Sequence, residues 1–93
     1  MFFFLTDDQI LERVASRCRA KRVLLKMSQA ELAKKSNLSL GTIKKFESSA
    51  PPSFLTLIHI LRALGDLERL GQLITEEEIS AKDLFLQESS QRS

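Results

Sequence analysis

The stretch from Ser28 to Pro52 constrains this chain most, because helix starts and helix stops follow one another there too closely for any long element. Ser28-Gln29-Ala30-Glu31 has capping-box spacing, with a serine oxygen placed to accept a free backbone N–H and Glu31 placed to reach back. Leu32 and Ala33 face inward and Lys34 and Lys35 outward. Asn37 then tolerates the left-handed conformation of a tight turn, so this helix stops near Ser36. Ser39 caps a further helix, whose apolar pair Ile43 and Phe46, three apart, gives it one buried edge and leaves Leu40, Gly41, Thr42, Lys44 and Lys45 available. Ser48-Ser49-Ala50-Pro51-Pro52 ends it, since consecutive prolines remove two donors and fix an extended path.

Longer elements flank this pair. Thr6 and Gln9 have capping-box spacing, and Asp7 and Asp8 suit the positive end of a helix dipole, so a first helix is expected from there to about Leu24. Leu11, Val14, Ala15, Cys18 and Leu25 follow three- and four-residue steps along it, with Arg13, Arg17 and Lys21 facing outward. From Ser53 the chain carries Phe54, Leu55, Leu57, Ile58, Ile60, Leu61 and Leu64, more apolar residues than one helix face can hold. Gly65 suits a C-cap, and Asp66 suits the N-cap of a fifth helix carrying Leu67, Leu70, Leu73 and Ile74. The surplus at Leu55, Ile58, Leu67, Leu70, Leu73 and Ile74 marks a candidate dimer or partner interface. Thr75 to Glu78 repeats the capping pattern. The short apolar pieces Phe2 to Leu5 and Leu84 to Leu86 need something to pair or pack against, with packing or dimer contact expected of Phe2, Phe3 and Phe4.

Ninety-three residues suffice for one core. All six aromatic residues are Phe and only three Gly and two Pro interrupt the chain, so an all-α domain of five helices is expected. The net charge of +2 hides an asymmetry: residues 1–50 carry ten basic and five acidic side chains, residues 51–93 four and seven. The basic half is the candidate polyanion surface. Cys18, the single cysteine, has no partner for a disulfide or a thiolate metal cage, which points to a reducing cytoplasm. It lies on the buried stripe of the first helix and reads as a small core residue. The opening Met1 to Leu5 is too short for a membrane span and lacks the basic lead-in of a signal peptide, so no membrane association is expected. His59 has no Cys, Asp or second His at ligand spacing and reads as a helix-surface residue, and Glu76 to Glu78 read as a solvated helix start. With no metal ligands, no cofactor motif and no convergent acid, base or nucleophile, enzymatic activity is not expected.

Met27-Ser28-Gln29-Ala30-Glu31-Leu32-Ala33, Asn37-Leu38-Ser39, Thr42-Ile43 and Phe46-Glu47 closely resemble the repressor-type helix-turn-helix family of phage repressors, Cro proteins and many bacterial regulators. The likeness covers 15–65 without insertion or deletion, takes in Arg19 and Arg22 upstream and Ala63-Leu64-Gly65 downstream, and divides the chain. Residues 1–14 become an N-terminal extension and the start of helix one, 15–65 the DNA-binding core, 66–86 a fifth helix with a dimerisation or partner-binding extension, and 87–93 a disordered tail. It implies a five-helix repressor-like fold whose third helix enters a major groove about 12 Å wide. Base contacts are implied for Leu40, Gly41 and Lys45 with Ser39 and Thr42 close by, and backbone contacts for Gln29, Lys44, Ser48 and Ser49. Arg22 and Glu47 match the family's internal ion pair.

The implied partners are a double-stranded operator and a second copy of the chain, giving a homodimeric repressor on a palindrome. Phe46-Glu47, the Leu-rich helix four and Gly65-Asp66-Leu67-Glu68-Arg69-Leu70 look also like DNA-binding antitoxins of HipB type, which implies the alternative of a toxin partner with kinase-like chemistry. Two departures stand out. Leu40-Gly41 replaces the polar readers common in relatives, and Lys26 and Ser48 or Ser49 stand where turn glycines are usual, so those turns are expected to differ slightly.

Overall fold

Four hydroxyl side chains start the four α-helices among the described residues. The computed structural model describes residues 4–74, so Phe2, Phe3, the Thr75 to Glu78 pattern, the Leu84 to Leu86 piece and the 87–93 tail lie outside the described residues. In α1 (Asp7–Leu24) the Thr6 hydroxyl accepts from the Gln9 N–H at 3.2 Å and the Gln9 side chain accepts from the Thr6 N–H at 2.9 Å. Ser28 and Glu31 make the same reciprocal pair at the start of α2 (Gln29–Ser36), both at 3.0 Å. Ser39 opens α3 (Leu40–Glu47) and Ser53 opens α4 (Phe54–Leu64), each accepting from the N–H three residues on. Such a cap contributes about 1 kcal/mol. That matters most for the eight-residue α2 and α3, which are too short to persist alone.

The stops are equally local. Asn37 ends α2 at φ 58°, and its own N–H and that of Leu38 bond back to the Lys34 and Ala33 carbonyls. Gly65 ends α4 at φ 78°. Lys26 and Ser49 also take positive φ, 59° and 72°. The turns that close α1 and α3 therefore adopt the left-handed backbone that a glycine takes easily, at the steric expense a side chain adds there.

One core lies between the helices. Leu32, Ile43, Ile60 and Leu64 are fully buried, with Cys18, Ala33, Phe46, Leu61 and Ala63 around them. Burial, with the nearby Asp66 charge, pushes the Cys18 thiol up to about 11, so it packs as a neutral side chain. Val14, Met27, Leu38 and Leu57 close the edges.

The expected fifth helix does follow Gly65, but its type and its cap differ from those of the helices before it. Asp66 does not cap a fifth α-helix: its carboxylate turns to Lys21 at 3.8 Å and Arg69 at 3.7 Å and makes no cap hydrogen bond. Leu67–Leu73 winds instead as a 3₁₀ helix, with the Arg69 N–H bonded to the Asp66 carbonyl three residues back. Leu67 and Leu70 pack on the core of their own chain. Lys21, drawn toward Asp66, is half-buried rather than outward. Leu25 lies past the end of α1 and is exposed. All regular structure among the described residues is helical.

Candidate nucleic-acid interface

Burying Ile43 and Phe46 against the core turns the opposite side of α3 to solvent. Leu40, Gly41, Lys44 and Lys45 are exposed there, and Leu40 keeps 39% of its surface. Thr42 is partly covered, and its hydroxyl pairs with Ser39 at 2.8 Å. A Cβ added at Gly41 would meet only the Ser39 hydroxyl, at 3.9 Å, so nothing inside the fold requires glycine there. Its absent side chain leaves the backbone open to approach from outside. Ser48 is exposed and its hydroxyl returns to the Lys44 carbonyl, while Ser49 is half-buried in its left-handed turn. The Pro51-Pro52 loop flanks α3 across a cavity of about 210 Å³ that Thr42, Lys45, Phe46 and Thr56 help to line.

A polar network fixes this face to the rest of the domain. The Arg22 guanidinium meets the Glu47 carboxylate side-on, with Nε to Oε2 at 2.7 Å and Nη2 to Oε1 at 3.0 Å, and its Nη1 donates to the Met27 carbonyl at 2.7 Å. The two side chains are 10% and 5% exposed. Gln29 Nε2 donates to the same Oε1 at 3.0 Å. Burial pushes the Glu47 carboxyl up, but hydrogen bonds from Arg22 and Gln29 and the charges of Arg22 and Arg19 outweigh it and hold the group below its ordinary value. The carboxylate in turn raises the Arg22 pKa further. The end of α1, the loop to α2, the start of α2 and the end of α3 thus meet around the Arg22–Glu47 pair.

The capped pair α2 and α3 with its left-handed Asn37 turn, the outward basic face of α3 and this bracing network coincide with one match. A family model of the helix-turn-helix matches residues 19–70. The chain belongs to the Cro/C1-like helix-turn-helix family. The matched span covers more than half of the chain and runs into the 3₁₀ helix, so it includes Leu67 and Leu70 as well as the α2–α3 pair. No curated protein and no solved structure gives a significant match.

Within this helix-turn-helix the structure brings Gln29, Arg22 and Glu47 together, and carries Leu40, Gly41, Lys44 and Lys45 on the open side of α3. Leu55, Leu73 and Ile74 are exposed and Ile58 half-buried, whereas Leu67 and Leu70 are taken up by the core. Sequence reasoning missed two contacts of the network, Gln29 to Glu47 and Arg22 to the Met27 carbonyl. The first joins residues eighteen apart that share no local pattern, and only the pairing of Arg22 with Glu47 pointed toward that place. No described helix is long and apolar enough to cross a membrane.

Proposed function

We propose that this helix-turn-helix protein, a DNA-binding regulator by its family, is a homodimeric repressor that lays α3 in the major groove of a palindromic operator. The exposed side of α3 carries the reading. Lys45 is free to reach a guanine edge, Leu40 offers an apolar contact to a thymine methyl, and Gly41 lets the helix backbone come close. Ser39 and Thr42 stand beside them. At the start of α2 the first two N–H groups, of Gln29 and Ala30, lie ahead of the one that Ser28 caps and are available to a phosphate, with Lys44, Ser48 and Ser49 adding backbone contacts. With Leu40 and Gly41 in place of bidentate polar readers, recognition leans on Lys45, methyl contact and DNA shape.

The test is binding to the protein's own promoter DNA. Steep loss of affinity with added salt is expected, from counterion release. Lys45→Ala weakens binding and relaxes sequence preference, whereas a change at the α2 start weakens binding to all sequences more evenly. Indifference to promoter DNA at low salt defeats the proposal.

A second function is supported by the exposed apolar residues Phe54, Leu55, Leu73 and Ile74: capture of a toxin by an antitoxin that also represses its own genes. Co-purification with the product of a neighbouring kinase-like reading frame separates it from repression alone.

A further inference from the structure

We infer that Gln29 is a positioning residue that acts through Glu47, closing the open end of the α2–α3 corner and so setting the start of α2 and the exposed side of α3 at a fixed distance for DNA; this rests on the mode of DNA contact proposed above. The two helices are joined covalently only through the Asn37 turn, whose N–H groups are bonded back into α2. Leu32, Ala33 and Ile43 hold their middles in the core. At the far end, where α2 begins and α3 finishes, the direct polar link between them is the 3.0 Å bond from Gln29 Nε2 to Glu47 Oε1.

The chemistry of the acceptor fixes which way Gln29 faces. An ionised carboxylate only accepts, so Gln29 presents its amide nitrogen and turns its carbonyl oxygen away. That oxygen repels a phosphate, and one amide hydrogen is committed to Glu47, which leaves the anion chiefly to the backbone N–H groups of Gln29 and Ala30. The side chain therefore holds the site in place more than it forms the site. Glu47 cannot swing to accommodate a loosened Gln29, because Arg22 grips both of its oxygens and is itself tied to the Met27 carbonyl.

The experiment is a thermodynamic cycle read by fluorescence anisotropy on a random-sequence duplex at low salt. Gln29→Met keeps the ion pair and is expected to weaken binding by up to about tenfold: the bond exists in free and bound protein alike, so its strength bounds the effect and only the geometry it preorganises is lost from the complex. In an Arg22→Met, Glu47→Leu background, where the acceptor is gone, the same change is expected to alter affinity by no more than about twofold. Equal loss in both backgrounds makes Gln29 a direct phosphate contact and overturns the inference, as does no loss in the native background. If the native protein binds no duplex, the DNA-binding function itself fails first. If the multiple variant does not fold by circular dichroism, the native protein decides: the Gln29 side-chain amide resonances are expected to shift as Glu47 takes up a proton in acid, and resonances that stay fixed overturn the coupling.

Discussion

The α2–α3 corner and the apolar residues around the start of α4 and the end of the 3₁₀ helix settle their surfaces in different ways. In the corner both helix starts are capped and the buried Glu47 carboxylate takes three hydrogen bonds. Phe54, Leu55 and Leu73 instead keep 62%, 61% and 72% of their surface in water. Directional bonds make the corner a fixed template, which suits the part proposed to match the spacing of base pairs and phosphates. Exposed aliphatic area specifies no geometry of its own and gains free energy only when another surface covers it.

The largest effect expected from breaking the corner is loss of one member of its ion pair. Arg22→Met or Glu47→Leu alone leaves an unpaired buried charge and is expected to cost about 3–5 kcal/mol in urea unfolding, while the double variant returns near native stability. The same pair gives the corner a pH signature. The Glu47 pKa is held low in the folded chain, so its contribution is present above the ordinary carboxylate value near 4.3 and is lost as pH falls through the folded value. Melting temperature is therefore expected to drop in acid in the native protein and to drop less in the double variant.

Ile43→Ala tests the apolar side of the same helix. Ile43 is fully buried, and its truncation is expected to cost about 2–5 kcal/mol by chemical denaturation while leaving the exposed side of α3 chemically unchanged. Relief of strain has the opposite sign. Lys26→Gly and Ser49→Gly are each expected to raise stability by about 1 kcal/mol, because both positions hold a left-handed backbone with a side chain attached. The smallest stability effect belongs to the apolar residues. Leu55→Ser and Leu73→Ser are expected to leave the stability of the isolated chain within about 0.5 kcal/mol but, if the proposed homodimer uses this surface, to abolish self-association in sedimentation experiments. A dimer that survives both changes places its interface elsewhere.

The sequence alone determined wherever the physics is local. Thr6, Ser28, Ser39 and Ser53 announce four helix starts because a cap bonds its own N3 backbone N–H, and Asn37 and Gly65 announce stops because those residues tolerate positive φ. The all-α class and the helix-turn-helix resemblance follow from that spacing. Tertiary structure decided what depended on distant partners. Asp66 has the composition of a cap, but Lys21 from α1 and Arg69 claim its carboxylate, and the segment winds as a 3₁₀ helix. Lys26 and Ser49 carry no residue preference for the left-handed turn they make, which the backbone closes with bonds from the Met27 N–H to the Arg22 carbonyl and from the Ala50 N–H to the Lys45 carbonyl. The bond from Gln29 to Glu47 exists because folding brings the start of one helix to the end of the next and withdraws their shared acid from water.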